Sequence, residues 1–489
     1  MRKKTLCAAL ALLLLLLGAA CGQKTKSLDD GTYRIEATLT GGTGRATIAS
    51  PLKLTVQGDE MQAVIVWSSP NYDYMKVNGV RYDALVVDGH SVFTVPVTSL
   101  EEPLPVVADT VAMSVPHEIE YTITFDIATL TEEGPGPNWS DLAVRREVPL
   151  SHATQFSLTE YDQGYTLLDI PTSGRFLIVP QGADLPQGLD EDIVALNMPL
   201  DRIYLTATSS MDFFRALNSV GSVRLSGTDV SGWYIEEAKE ALENGSMLFA
   251  GKYSAPDYEL IFAEKCDLAI ESTMIYHSPE VKEQLEKLGV PVLVERSSYE
   301  EDPLGRMEWI KVYGALLGKL PEAEALFAAE EQAVTPLLSQ PKNGKTVAFF
   351  YITTTGTVNV RKSGDYVPKM IEMAGGRYVF EDLDSGSALS TVNMTMESFY
   401  DGAKNADVLI YNSTIDGELY TVEDLLQKSA LLKDFKAVQS GDLWCTGKNL
   451  FQEPMGVGKL ILDIHRVLTD PDAPDELTYL HKLTAGGKG

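Results

Sequence analysis

Cysteine is scarce in this chain: four in 489 residues, of which Cys7 and Cys21 lie at the very start. The other two, Cys266 and Cys445, make no disulfide framework. They fall in different predicted lobes, so two small buried thiols are expected. Histidine is thin as well: of six residues only His277 falls among the expected cleft residues, which argues against the several-histidine site of a bare zinc or manganese carrier. Positive charge is the third shortage: 40 Lys and Arg against 69 Asp and Glu give a net charge of −29. Such an acidic surface argues against nucleic acid and anionic lipid as partners. No Gly-rich loop ending in GK[ST], no HExxH and no GxSxG occurs, and no spacing of Ser, His and Asp marks a triad, so an enzyme is not expected. Beyond the first 20 residues no apolar run is long enough to span a bilayer.

What is present begins with an address. Met1-Arg2-Lys3-Lys4, an apolar run from Leu6 to Ala20 and then Cys21 have the charged, apolar and small-residue regions of a secretory signal over residues 1–20. The ending Leu17-Gly18-Ala19-Ala20-Cys21 resembles a bacterial lipobox. That resemblance implies lipidation of Cys21, a tether over residues 21–28, and a cell-membrane, lipid-anchored location on the extracytoplasmic face.

Residues 29–127 alternate β-branched and aromatic residues between Gly, Pro and Asp punctuation, as in GTYRIEATLT, MQAVIVWSS and IEYTITFDI, which predicts an all-β sandwich. The stretch SVPHEIEYTITFD resembles the end of a near-iron-transporter (NEAT) haem-binding domain, where two tyrosines four apart on one strand ligate and support haem iron. His117 and Tyr121 occupy the matching positions. Residues so spaced share a strand face, and imidazole is a competent haem ligand, so the pair is a candidate haem site. The other reading is a sandwich used for packing or partner contact.

Gly-Pro-Gly-Pro within residues 128–154 reads as a linker. From 155 to 302 apolar strands alternate with amphipathic helices, which predicts a first α/β lobe, and the pattern restarts over 341–489 as a second. The two match where Asp267-LAI-ESTMI aligns with Asp407-VLI-YNSTI, each preceded by a helix carrying a glutamate, Glu259 or Glu397. Between the lobes, residues 303–340 read as a helical connector. Its second part opens with Pro321 and Glu322 in a first turn and repeats apolar side chains at Leu326, Phe327 and Val334, which predicts helix from about 321 to 338.

PLGRMEWIKVYGALLGK, GTVNVRKSGDYVPKMIEMAGG and CTGKNLFQEPMGVGKLILDIHRVL resemble stretches of ABC-importer substrate-binding proteins for ferric siderophores, haem and cobalamin. The resemblance implies a multidomain chain, an all-β domain followed by two α/β lobes on a rigid helix, like a class III periplasmic binding protein. It implies a permease partner in the cytoplasmic membrane, docked through Glu259 and Glu397. The transported ligand would be haem first, a ferric siderophore next, with a corrinoid as an alternative and no covalently bound cofactor. A surface interaction protein with a degenerate cleft is the other class of reading.

Ligands of open α/β sheets sit beyond strand carboxyl ends. That places Thr206, Thr208, Ser209, Lys252, Tyr276, His277, Arg361, Lys448 and Met455 as candidate ligand-binding residues. Arg361 suits an anionic group, with Lys252 and Lys448 adding charge. Tyr276, His277, Met211 and Met455 are candidates for iron.

Overall fold

The computed structural model describes residues 28–58, 60–87, 90–111, 117–132, 136–383 and 390–485. The signal segment and Cys21 lie outside them. Among the described residues no helix is long and apolar enough to cross a membrane. The chain forms two compact units, divided at Pro135 and Gly136.

The first unit is all β. Its strands are β1 (Gly31–Gly41), β2 (Leu52–Gln57), β3 (Glu60–Val66), β4 (Tyr72–Val77), β5 (Val80–Asp83), β6 (Leu85–Val87), β7 (His90–Pro96), β8 (Leu104–Thr110) and β9 (His117–Glu132). They pair antiparallel in the order β5-β4-β8-β9-β1-β2-β3-β7-β6. Alternation drives this: in β1 Tyr33, Ile35 and Ala37 turn inward while their neighbours face out, and the buried set closes around Trp67. Strand β9 runs five residues past 127, through Glu132.

The second unit begins with a five-stranded sheet, Val144–Glu147, Ser157–Tyr161, Thr166–Ile170, Gly174–Val179 and Ile193–Asn197, antiparallel except for its last pair. The linker expected over 128–154 is therefore structured at both ends: β9 occupies its start, and Val144–Glu147 is a paired strand with Arg146 held by Glu160 at 2.6 Å and Glu324 at 3.1 Å. A two-lobed part follows. The first lobe carries a parallel sheet in the order Leu248–Phe249, Val223–Ser226, Ile203–Leu205, Leu268–Ser272, Val292–Glu295. The second carries Thr391–Met394, Val358–Arg361, Thr346–Ile352, Val408–Tyr411, Leu443–Thr446 and Leu480–Lys482, with Arg377–Tyr378 beside Thr346.

The aligned aspartates of the two lobes do the same work. Asp267 accepts from the amides of Asp201 and Arg202 at 3.0 Å, and Asp407 accepts from that of Thr346 at 2.7 Å. Each carboxylate thus caps the entrance of the neighbouring parallel strand, where a backbone N–H has no ladder partner.

The connector is three helices, Pro303–Glu308, Ile310–Leu316 and Leu320–Leu338. The last matches the expected rod; Pro321 stands in its first turn, where its missing N–H costs nothing. The first helix buries Glu308, which accepts from the amides of Ser151, His152 and Ala153 at 2.7–3.1 Å and from Lys311 at 2.6 Å. Glu300 likewise takes the amides of Thr154 and Gln155 at 2.8–2.9 Å. Two buried carboxylates therefore anchor residues 151–155 by their main chain. His152 completes the anchor, bonded to Asp302 at 2.9 Å and to Glu331 of the long helix at 2.8 Å.

Candidate functional site: the cavity between two lobes

The main candidate is a cavity of about 300 Å³ between the lobes. The first lobe contributes Ser209, just after the strand Ile203–Leu205, and Ser297 and Ser298, just after Val292–Glu295. The connector contributes Arg306, and the second lobe Arg361, Asp365, Tyr366, Met370, Leu450 and Phe451 among others. Strand carboxyl ends from both lobes thus face one space, as the topology of open α/β sheets requires.

Its centre is cationic and aromatic. The Arg306 guanidinium lies 3.6 Å from the Tyr366 ring centroid and that of Arg361 lies 5.9 Å from the same ring. Arg306 donates to the carbonyls of Ser298 at 2.6 Å and Glu300 at 3.1 Å. Burial is the first cause that pushes the Arg306 guanidinium down, and the repulsion of Arg361 adds to it, while Tyr366, Asp365 and Glu295 act in the opposite sense. Arg361 ends the strand Val358–Arg361, and the Asp365 carboxylate lies 3.6 Å from its guanidinium. Asp365 caps the following helix, accepting from the Val367 amide at 3.0 Å.

Beside the cavity the lobes are clasped by residues 452–455. The fully buried Gln452 accepts from the Tyr234 amide at 2.7 Å and donates to the Gly232 carbonyl at 2.7 Å. Asp212 accepts from the Met455 amide at 2.8 Å and is ion-paired to Arg215. Burial raises Asp212 to about 6 despite that partner. Phe451 meets Tyr234 edge to face at 6.0 Å.

Of the residues expected to bind ligand, Ser209 and Arg361 line this cavity. Met455 is buried in the clasp next to it. Thr206 lies beneath, its hydroxyl donating to the buried carboxylate of Glu271, and Thr208 meets Thr228 at 3.3 Å. Tyr276 and His277 do not line it: both are exposed, and the Tyr276 hydroxyl bonds the Thr172 carbonyl of the preceding sheet's turn at 3.4 Å. The turn Thr273–His277 carries them off the strand end. Lys252 is exposed on a short hairpin, and the Lys448 side chain points to Gly417. Met211 is wholly buried core.

Arg306, Tyr366 and Ser298 lie outside the residues expected from strand ends. Arg306 stands in the connector stretch PLGRMEWIKVYGALLGK, and a cation among its apolar residues was the available signal.

Glu259 and Glu397 occupy equivalent positions. Each is the second residue of a helix, after the caps Asp257 and Thr395, and each is exposed. In the first unit, Tyr121 is buried, its hydroxyl 3.1 Å from that of Tyr72 and its ring 5.0 Å from Trp67. His117 is exposed at the start of β9. Tyr121 is thus committed to the core.

No family model matches the chain. Two uncharacterized lipoproteins of Methanocaldococcus jannaschii are similar to it. One is 26% identical over 352 residues, covering 65% of this chain and 81% of the relative; the other is 26% identical over 358 residues, covering 68% and 86%. Among solved structures, a periplasmic haem-binding protein of Pseudomonas aeruginosa is 18% identical over 59% of this chain and 99% of its own, with a TM-score of 0.45. The periplasmic haem-binding protein HutB of Vibrio cholerae gives 17%, 55%, 100% and 0.46, and an ABC-type Fe3+-hydroxamate transport protein of Saccharomonospora viridis gives 22%, 55%, 94% and 0.43.

Proposed function

We propose that this chain is the lipid-anchored solute-binding subunit of an ABC importer, which captures an iron chelate between its lobes and hands it to a permease. The observation that carries this is the cavity itself, walled by strand carboxyl ends of two lobes whose sheets share an aspartate cap at a parallel strand's start and which share a connector of buried helices. Binding there needs no bond-making chemistry on the protein, so the reading is of a carrier and not an enzyme. The lipobox-like Cys21 and the lipoprotein relatives support the anchor.

The residues expected to meet iron, Tyr276, His277, Met211 and Met455, do not line the cavity. A chelate that brings a complete donor set of its own fits better, so a ferric siderophore moves ahead of haem, with corrinoids behind. Glu259 and Glu397, exposed at matching helix starts on separate lobes, form a two-point acidic contact suited to a basic partner. The all-β unit would serve partner contact, since Tyr121 is spent on packing.

The test is a titration of the intact chain with ferric siderophores, haemin and cyanocobalamin, followed by tryptophan fluorescence. One saturable site per chain is expected. Absence of saturable binding for every chelate removes the reading. In membranes with the cognate permease, Glu259→Arg with Glu397→Arg should abolish transport and leave chelate affinity unchanged.

A further inference from the structure

Resting on the solute-binding reading above, we infer that the cavity selects a chelate bearing its own negative charge, presented as a carboxylate or similar planar oxyanion within reach of both Arg306 and Arg361. Charge accounting within the cavity carries this. Two guanidiniums flank one aromatic ring, at 3.6 and 5.9 Å from its centroid. Among the described lining residues a single acid, Asp365, faces them. It sits 3.6 Å from Arg361, beyond hydrogen-bond distance, and shares its charge with a helix start through the Val367 amide.

The partners of Arg306 are two backbone carbonyls. They satisfy N–H donors but carry no counter-charge, which Asp365 and Glu295 supply in part. Behind the guanidinium Glu295 is buried and its carboxyl is pushed up by desolvation, which weakens it as a counter-ion.

In a chain of net charge −29 carboxylates are plentiful. Elsewhere Arg146, Arg175, Arg215 and Arg224 each hold a carboxylate at hydrogen-bond distance. Two guanidiniums held together out of full solvent carry a desolvation and repulsion cost, which Asp365 and the buried Glu295 offset only in part. An arriving anion relieves it, and Arg forks match planar oxyanions two bonds at a time. The Tyr366 ring, stacked under Arg306, fixes one fork in place.

The consequence is a sorting of chelates by charge. Ferric complexes of carboxylates, and haem through its propionates, present anionic oxygens. Ferric trihydroxamates and cyanocobalamin carry no net negative charge and leave the pair unneutralised. Because the whole protein is acidic, it repels such anions at a distance, so discrimination acts at contact and added salt speeds anion association.

The experiment uses the intact chain, calorimetry, and four probes: ferric citrate and haemin as anions, ferrichrome and cyanocobalamin as uncharged chelates. The variants are Arg361→Gln and Arg361→Lys, with thermal melts to confirm folding. Arg306 is left alone because it also holds two carbonyls. At least one anionic probe should bind more tightly than either uncharged one. Arg361→Gln should weaken it about tenfold or more, and Arg361→Lys by less. An uncharged chelate binding as tightly as the anions, unmoved by Arg361→Gln, overturns the charge inference and leaves the solute-binding reading standing. Binding of none of the four, or of any other chelate tried, overturns both.

Discussion

Gln452 reads the main chain of the opposite lobe at Tyr234: its side-chain oxygen accepts the Tyr234 amide at 2.7 Å, while its nitrogen donates two residues earlier to Gly232. A single buried amide thereby joins the lobes as one rung of a β-ladder would. Gln452→Ala strips two partners from these backbone groups, at a cost of about 2 kcal/mol. Urea unfolding should show that loss, and amide exchange at Tyr234 should quicken well beyond exchange at strand centres. Unchanged exchange at Tyr234 would dismiss the clasp.

His152 stands between Asp302 and Glu331, and its bond to Asp302 is the first cause that lifts its imidazole to about 9 against the opposition of burial. A raised folded-state value means the stabilisation is complete below the unfolded value of roughly 6.5 and lost as pH rises through about 9. Melting temperatures of the protein and of His152→Gln should therefore differ most below pH 6.5 and converge above 9. A constant difference across that range would show that the clamp works by shape and not by charge.

Glu271 behaves in the opposite sense. It is wholly buried with the Thr206 hydroxyl as partner to one oxygen and none for the other, and burial lifts its carboxyl to about 7. The folded chain holds a proton that the unfolded chain releases near 4.5, so this group costs stability as pH climbs from about 4.5 past 7. Glu271→Gln should match the parent near pH 4.5 and exceed it by on the order of 2 kcal/mol at pH 8. Chemical denaturation at the two pH values decides it.

Glu308→Ala removes the acceptor of three amides and leaves Lys311 buried and unpaired. Losses of about 3–5 kcal/mol are expected when one member of a buried pair is deleted. Glu308→Leu with Lys311→Met should recover part of that loss, since it removes the stranded charge. Denaturant midpoints of the two variants give the comparison.

Cys266 and Cys445 are buried free thiols, each pushed up to about 12 chiefly by desolvation. The thiolate is the reactive form. Neither should react with a thiol reagent at pH 8 until the chain unfolds, when both react together. Prompt labelling of either of these two in the native protein, located by peptide mapping, would contradict their burial.

Much of the architecture was legible because it rests on local pattern. Alternation in β1 announces its inward face, Pro321 and Glu322 announce the long helix, and the match of Asp267 with Asp407 announces repeated sheets, since a strand-entry cap is a local need met by a local residue. The cavity was legible only in part. Ser209 and Arg361 follow from their places at strand ends, but Arg306 and Phe451 reach the same space from segments about 150 residues apart, and no sequence window contains that proximity. Tyr276 and His277 were misplaced for a related reason: the rule that loops at strand carboxyl ends face the ligand holds for the loop's start, and a short 3₁₀ turn swung these two toward Thr172. Likewise the shared face of His117 and Tyr121 follows from strand parity, whereas the inward turn of Tyr121 depends on Tyr72, two strands away in the sheet order, and on Trp67, just past the end of β3.

The main-chain character of the lobe clasp has an evolutionary side. Gln452, Asp212, Glu300 and Glu308 all grip peptide groups, at residues 232, 234, 455, 154–155 and 151–153. A peptide group is the same whatever side chain it bears, so those gripped positions are free to drift while their holders are not. Across descendants of this chain the fixed residues should stand beside variable partners, leaving no correlated substitutions to betray the contact. The joints that unite the lobes and anchor the connector would then be the ones that comparison of related sequences is least able to find.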